Sequence, residues 1–414
     1  MTTLSTLTKQ HIQQECAAMR PVKGVCAGTA AAGIKYQGRD DLLLLQISSE
    51  VEVAAVFTQN VFCAAPVVVA RQHLSHAKPQ YLLINAGNAN AGTGARGIED
   101  SKRCCEAVSE LMQCQPDAVL PFSTGVIGEY LPVERMAAAL PQAKERLAEN
   151  NWQAAANAIM TTDTVAKGVS RSAVIDGHEV TVTGIAKGAG MICPNMATLL
   201  AYVACDAALP NALLQTLLKQ AADKTFNRVT VDGDTSTNDA CVLIATGQSR
   251  LPTINGIEHP HYAQVSQLVT EVFEFLTRAI IRDAEGATKL VNVTVTHGKD
   301  VAECEAVAYT IAHSPLVKTA LFASDPNWGR ILAAIGRAGL AGLDINHVAI
   351  DLNGVRIVTA GERDNGYTED QGQRAMQQDE IAIDVNLGRG DAKANVWTCD
   401  LSYDYVKINA EYRT

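Results

Sequence analysis

The sequence predicts an α+β protein in which strands and helices are mixed in both halves of the chain. Three strand-like runs, at residues 42–47, 51–57 and 65–69, carry β-branched and apolar residues separated by turn residues. The apolar spacing of residues 211–222 and 262–283 is typical of amphipathic helices. Because strands and helices do not alternate regularly, a layered α+β architecture is favoured over a doubly wound parallel sheet.

The remaining segments continue this mixture. A strand at residues 180–185 runs into a glycine-bearing loop at 186–195, which is followed by another apolar run at 196–204. Further elements are predicted as strands at 81–84 and 291–295, a Gly/Asn-rich loop at 85–97, and helices at 98–112, 133–148 and 151–160.

Composition restricts the classes of function. The 414 residues allow two or three domains at roughly 150 residues each. Apolar residues make up 47% of the chain, yet no run approaches the roughly 18 apolar positions of a membrane span. The net charge of −10, without a basic cluster, argues against nucleic acid as a partner. Since the first residues lack the pattern of a secretory signal, we expect a cytoplasmic protein.

Neither a metal site nor a disulfide framework is predicted. The eleven cysteines are an odd number and contain no C-x-x-C pair. Residues 232–239 begin like a calcium loop, but the twelfth position is Leu243 rather than glutamate, so we expect a turn with side-chain-to-backbone hydrogen bonds. Cys193 has no recognisable histidine partner and is interpreted as a packing residue.

A glycine motif at residues 92–97 spells G-x-G-x-x-G before a predicted helix. A dinucleotide-binding loop follows its strand directly, whereas residues 85–91 separate this motif from the predicted strand. The sequence therefore does not favour a nucleotide site here.

Residues 187–200, KGAGMICPNMATLL, combine a lysine, two glycines and a proline just before Ala197 and Thr198. One interpretation is an ordinary loop that enters a buried strand. The other is a self-cleavage site, where the Thr198 hydroxyl attacks the Ala197 carbonyl and hydrolysis frees Thr198 as a new N-terminus. A free α-amine, with a pKa of about 7.7–8.0, can then act as general base for the hydroxyl of its own residue.

This segment resembles the signature of the bifunctional ornithine acetyltransferase family of arginine biosynthesis, in which the threonine after Met-Ala is the cleaved position. The resemblance spans nearly the whole chain, with one minor departure at Leu200, where the family pattern has methionine. Six further segments are similar to family segments in the same order: residues 85–94, 121–128, 160–164, 232–239, 325–331 and 408–414.

The resemblance implies roles for residues outside the cleavage segment. Thr124, through its hydroxyl, and Gly125, through its N–H, would form an oxyanion hole, where each donor is worth roughly 3–4 kcal/mol. Lys187 would hold a substrate carboxylate and disfavour protonation of the Thr198 amine. Glu285 would face the ammonium group of ornithine. The remaining substrate contacts would be Thr161 or its neighbour Thr162, Asn409 and Thr414.

The resemblance also implies the reaction and the assembly. Thr198 would take the acetyl group of N-acetylornithine and pass it to glutamate by a ping-pong mechanism, without a metal or bound cofactor; acetyl-CoA remains open as a second donor. An α chain (1–197) and a β chain (198–414) would co-fold into an α/β/β/α sandwich and assemble as a heterotetramer of two each. The alternatives are a self-processed aminopeptidase or amidohydrolase on the same fold, and an uncleaved scaffold protein.

Overall fold

The computed structural model of the chain describes residues 6–48, 50–193 and 199–411. The strands are β1 (Val25–Ala30), β2 (Leu42–Ile47), β3 (Glu52–Phe57), β4 (Tyr81–Asn88), β5 (Val119–Val126), β6 (Lys167–Ile175), β7 (His178–Lys187), β8 (Leu200–Cys205), β9 (Ala240–Ala245), β10 (Leu290–Gly298), β11 (Ala349–Leu352), β12 (Val355–Thr359), β13 (Glu362–Arg363), β14 (Glu380–Asn386) and β15 (Ala392–Cys399). The helices are α1 (Lys9–Ala17), α2 (Ala65–His76), α3 (Gly94–Met112), α4 (Val133–Glu145), α5 (Trp152–Ala158), α6 (Asn211–Lys224), α7 (Tyr262–Arg282), α8 (Val301–Ala312), α9 (Pro315–Phe322), α10 (Trp328–Gly336), α11 (Glu369–Met376) and α12 (Tyr403–Ala410).

These elements form two compact units. Unit 1 comprises Met1–Thr8, Arg228–Asp234 and Ile281–Thr414, and unit 2 comprises Lys9–Asn227 and Thr235–Ile280. No helix within the described ranges has both the length and the apolar character needed to cross a membrane.

Unit 2 contains two sheets that share one core. A four-stranded sheet has the order β1-β2-β4-β5, and a five-stranded sheet has the order β3-β9-β8-β7-β6. Pairs β4–β5 and β8–β9 are parallel, and the other neighbours are antiparallel. Leu45 and Phe122 of the first sheet belong to the same buried cluster as Ile185 and Tyr202 of the second.

The sheets of unit 2 are covered on their other faces by helices. In β2, Leu43 and Leu45 enter the core shared by the sheets, whereas Leu42 and Leu44 pack in a second cluster with residues of α3 and α4. This division follows from the alternation of side chains along a strand. The five-stranded sheet is contacted by α6 at β3 and β9.

Unit 1 is built on a six-stranded sheet of order β13-β12-β11-β14-β10-β15. Its core combines residues of β10 and β14 with residues of α8, α9 and α10. The strand predicted at residues 291–295 is confirmed within β10, where Val291, Val293 and Val295 are all buried.

The strand predicted at residues 65–69 is wrong, because these residues form the first turns of α2. Pro66 occupies the start of the helix, where its missing N–H costs nothing. Val67 is buried in the core that the two sheets share, and Val69 is buried in the second cluster, on the other side of the helix, so packing outweighs the low helix propensity of valine. The helices predicted at 211–222 and 262–283 are confirmed as α6 and α7.

We expect Gly184→Ala to destabilise the protein because α7 packs closely on β7. A Cβ at this position would lie 2.7 Å from Cγ1 of Val272 and 2.9 Å from Cγ2 of Val203. Such overpacking should lower the free energy of unfolding by about 1–3 kcal/mol, measured by urea denaturation. The control is Gly256→Ala, whose Cβ would meet nothing within 4 Å and should change the stability by less than about 0.5 kcal/mol. Equal effects of both substitutions would contradict this account of the β7–α7 contact.

Candidate active site

The predicted cleavage segment connects two paired strands of unit 2. β7 ends at Lys187 and β8 begins at Leu200, and these two residues are partners in the antiparallel register. Ala197 and Thr198, the predicted cleavage pair, lie outside the described residues, as does Thr414. β8 begins one residue after Leu199, and Leu199 directly follows Thr198 in the sequence.

Thr124 and Lys187 are brought together although they belong to different sheets. Thr124 lies near the end of β5, and Lys187 is the last residue of β7. The Lys187 Nζ donates a hydrogen bond of 3.0 Å to the Thr124 Oγ1. An ammonium group can donate hydrogen bonds but cannot accept them. The Thr124 hydroxyl therefore accepts from Lys187 and can donate its own proton to a different group. A cation beside a buried hydroxyl donor is an arrangement that suits a developing negative charge.

Gly125 follows Thr124 at a point where β4 and β5 approach closely. Its φ is +134°, and Gly87 is its partner in the parallel register. A Cβ on Gly125 would overlap the Gly87 carbonyl carbon and lie 2.5 Å from the Gly87 carbonyl oxygen. A side chain at this position would therefore displace the backbone of β5 beside Thr124.

Asp163 and Lys167 form a buried ion pair beside these residues. Both side chains are fully buried, and the Lys167 Nζ donates to the Asp163 Oδ1 at 2.6 Å. The same Oδ1 accepts from the Gly188 N–H at 2.9 Å, and Oδ2 accepts from the Thr161 N–H at 3.0 Å. Asp163 thus connects the predicted substrate-binding segment at Thr161 with the end of β7.

Asp163 stays ionised in the folded protein. Burial opposes its ionisation, but the charges of Lys167 and Lys187 and the hydrogen bonds from Lys167 and Thr161 hold its pKa below the usual value. The negative charge of Asp163 near Lys187 is therefore balanced by the Lys167 ammonium group.

Asn238 connects the two sheets of unit 2. Its side-chain amide donates to the carbonyl oxygens of Ala89, at 2.6 Å, and Ser123, at 2.9 Å. Ser123 precedes Thr124 in β5, and Asn238 lies just before β9. Side-chain-to-backbone hydrogen bonds within residues 232–239 are present as predicted, from the Asp234 N–H to the Asp232 Oδ1 and from the Asn238 N–H to the Ser236 Oγ, both at 3.2 Å. The Asn238 amide in addition holds the strand that carries Thr124.

Asp239 is a buried carboxyl at the start of β9. Its Oδ2 is buried and has no hydrogen-bond partner within the described part of the chain. Burial raises the pKa of Asp239 well above its usual value, and the hydrogen bond from Ser236 and the charge of Lys187 offset this only in part. The N–H of the next residue, Ala240, donates to the Leu199 carbonyl oxygen at 3.0 Å. Burial therefore favours the neutral form of the Asp239 carboxyl, in the segment paired with the residue after Thr198.

Unit 1 brings together Glu285 and Asn409, the predicted substrate contacts near the C-terminus. The Asn409 Nδ2 donates to the Glu285 Oε2 at 2.8 Å. Ser402 caps α12 and donates to the Gly286 carbonyl oxygen at 2.6 Å, which joins the Glu285 loop to the start of this helix. Glu285 is buried, with 8% of its surface exposed, and a carboxylate buried to this extent is normally paired with a specific group.

The other motifs have structural roles in the described residues. β4 extends to Asn88, beyond its predicted end, and α3 begins at Gly94 inside the G-x-G-x-x-G motif. The Asn90 amide donates to the Gly97 carbonyl oxygen and to the Ser101 hydroxyl, both at 2.9 Å, and so closes this loop. In the described ranges no group of three or more His, Cys, Asp or Glu side chains is arranged to hold a metal ion.

A model of the ArgJ family matches residues 26–414. The chain belongs to the ArgJ family. Arginine biosynthesis bifunctional protein ArgJ of Methylococcus capsulatus is 58% identical over 394 residues, which cover 95% of this chain and 96% of that protein. The protein of the same name from Pseudomonas fluorescens is 54% identical and covers 96% of this chain and 98% of its own. The chain also resembles a crystal structure of the protein of this name from Bacillus halodurans, with 40% sequence identity and a TM-score of 0.48. The match covers 50% of this chain and 95% of the chain in that structure.

Membership of the ArgJ family confirms the resemblance found in the sequence. The prediction of an acetyltransferase of arginine biosynthesis is confirmed with it, and the amidohydrolase alternative is not favoured. The roles of Asp163, Lys167, Asn238 and Asp239 were missed from the sequence. The opposite charges at positions 163 and 167 were visible there, but their complete burial was not.

We expect Asp239→Asn to stabilise the protein at neutral pH. Because the pKa of Asp239 is raised in the folded state, its contribution to stability is complete below about pH 3.9 and is lost as the pH rises towards the folded pKa. Asparagine does not titrate, so the free energy of unfolding of the variant relative to the wild type should increase as the pH rises from about pH 4 towards neutral pH. Urea denaturation across this range tests the sign, with the exposed Asp391→Asn as control. A constant difference between variant and wild type would show that Asp239 is ionised in the folded state.

Proposed function

We propose that the protein transfers the acetyl group of N2-acetyl-L-ornithine to L-glutamate through an acetyl ester on Thr198, after self-cleavage at Ala197–Thr198. The observation that carries this proposal is the contact of the Lys187 ammonium with the Thr124 hydroxyl, at the end of the strand paired with β8. The ArgJ relatives, named as arginine biosynthesis bifunctional proteins, support the pathway.

Self-cleavage is an acyl shift followed by hydrolysis. The Thr198 Oγ forms a bond to the Ala197 carbonyl carbon, the C–N bond breaks, and the hydroxyl proton ends on the nitrogen as the amine forms. Water then hydrolyses the ester, which leaves a carboxylate on Ala197 and regenerates the Thr198 hydroxyl. The amine freed in this step is the general base for the transfer reaction.

Acetyl transfer uses the same hydroxyl twice. Thr198 attacks the acetyl carbonyl of acetylornithine, its proton passes through the α-amine to the departing ornithine nitrogen, and an acetyl ester remains. The amine of glutamate then attacks this ester, the bond from the acetyl carbon to the Thr198 oxygen breaks, and the proton lost by the glutamate amine returns through the α-amine to the Thr198 hydroxyl as N-acetylglutamate leaves. Negative charge on the carbonyl oxygen in both steps is stabilised by the Thr124 hydroxyl and the Gly125 N–H, and the Lys187 charge strengthens the hydroxyl donor.

The charged side chains select the amino-acid substrate. Lys187 binds the substrate carboxylate, and the buried Glu285 binds the ammonium group of the ornithine side chain. Asn409, which donates to Glu285, orients that carboxylate. Thr161 and Thr414 complete the contacts; the N–H of Thr161 is already engaged by Asp163, which leaves its side chain for the substrate.

The assembly is proposed on the same basis. The α chain (1–197) and the β chain (198–414) remain together because β7 and β8, one from each chain, are neighbours in one sheet. The shared core and the helices on both outer faces support an α/β/β/α layer order. We further propose a cytoplasmic heterotetramer of two α and two β chains with no bound cofactor.

Intact mass spectrometry tests the central step. The wild type should give two masses that meet at Ala197/Thr198, and Thr198→Ala should stay uncut because it lacks the attacking hydroxyl. Thr198→Ser keeps a hydroxyl and is the matched control, which should still be cut. A wild-type chain that remains at its full 44.0 kDa after prolonged incubation would contradict the proposal and favour an uncleaved protein.

The oxyanion hole is tested by replacing Thr124 with valine and with serine. Valine keeps the shape but removes the donor, so kcat for acetyl transfer should fall by about 10²–10³. Serine keeps the hydroxyl that Lys187 contacts and should retain most of the activity. If both variants lose activity equally, the hydroxyl is not the donor.

A further inference from the structure

We propose that Asp163 is a positioning residue for self-cleavage and for substrate binding, and that Lys167 neutralises it so that it can act inside the protein. The proposal rests on the function proposed above and extends it to residues with no assigned role. It is carried by four described contacts within unit 2.

The first argument is the cost of burying the pair. Asp163 and Lys167 have no exposed side-chain surface. A buried ion pair must recover the loss of hydration of both ions, and well-packed apolar residues in its place are often equally stable or more so. The stability of the fold alone therefore does not explain these two charges.

The second argument is what the carboxylate holds. Oδ1 accepts from the Gly188 N–H, and that nitrogen belongs to the peptide group that follows Lys187. Oδ2 accepts from the Thr161 N–H, in the segment predicted to contact substrate. One carboxylate thus fixes two peptide groups at 2.9 and 3.0 Å, and hydrogen bonds to an ionised acceptor are stronger than neutral ones.

The third argument is the position of those peptide groups. The Lys187–Gly188 peptide is where β7 ends and the cleavage segment begins, opposite Leu200 in the register. The Lys187 side chain reaches Thr124 from there. Self-cleavage needs the hydroxyl and carbonyl in near-attack geometry, and a displacement of about 1 Å can cost about 10²-fold in rate. Asp163 fixes the peptide group from which the cleavage segment begins.

The test compares two double variants of the full chain. Asp163→Asn/Lys167→Met removes both charges but keeps an oxygen that can accept from Gly188. Asp163→Leu/Lys167→Met removes the charges and the acceptor. The first variant should be cut within roughly tenfold of the wild-type rate, and the second at least about 100-fold more slowly. In the cut protein, the first should also show a raised KM for acetylornithine through Thr161.

The control is the ion pair between Arg171, on the same strand as Lys167, and Glu15 of α1. Arg171 of β6 forms a half-buried ion pair with Glu15, at 3.0 Å, and contacts neither Gly188 nor Thr161. Glu15→Gln/Arg171→Met should be cut at the wild-type rate. Asp163→Glu keeps the charge but shifts the oxygens by one methylene, so it should be slowed although the pair with Lys167 remains.

Hydrogen exchange gives a readout that does not depend on the chemistry. The peptide containing Gly188 should exchange faster in Asp163→Leu/Lys167→Met than in Asp163→Asn/Lys167→Met, at comparable melting temperatures. Equal exchange and equal cleavage in the two double variants, or wild-type cleavage of Asp163→Glu, would overturn the proposal. An uncut wild type in which the exchange difference persists would instead contradict the proposed function and support the positioning role.

Discussion

The antiparallel pairing of β7 with β8 is the interaction on which the candidate site depends. Lys187 opposite Leu200 fixes the two ends of the segment that contains Ala197 and Thr198. Both strands lie inside the five-stranded sheet, between β6 and β9, and every residue of β8 is buried. A slip of one residue would turn the Lys187 side chain to the opposite face of the sheet, away from Thr124. The hydrophobic pattern that folds the sheet therefore also determines which residues flank the cleavage segment.

The polar groups around this segment form a small network in an apolar frame. Asn238 bonds to the backbone before Thr124, Asp163 bonds to the backbone after Lys187, and Lys187 bonds to the Thr124 hydroxyl. Groups buried in this way are costly unless each is satisfied, and they concentrate where function requires them. The network connects β5, β7 and β9, so the proposed oxyanion donor and the proposed substrate cation hold fixed places relative to each other.

How far the sequence predicts this structure depends on whether the relevant information is local. The helices α6 and α7 were predictable within a few residues because their apolar spacing is long and regular. Residues 65–69 were misassigned because a short valine run has no period, whereas the structure packs these residues as a helix between two buried clusters. Thr124 and Lys187 were recognised through the family resemblance, but their contact joins two sheets and 63 positions of sequence, and no local pattern encodes it. The same holds for Asp163 and Asp239, whose roles depend on burial that the sequence does not reveal.

The two buried carboxyls near Lys187 differ in charge because their environments differ. Asp163 receives hydrogen bonds from an ammonium and two peptide groups, which lowers its pKa, whereas Asp239 has an unpartnered Oδ2 and a pKa raised by burial. Asp163 and Lys167 balance each other, and burial favours the neutral form of Asp239, which leaves the positive charge of Lys187 without a counter-charge among these four groups. A second ionised carboxylate would cancel it and would leave a substrate carboxylate or an oxyanion without a counter-charge. Environments that drive two carboxyls to opposite protonation states are a property of sites with acid–base chemistry, and here they preserve one cation beside the Thr124 hydroxyl.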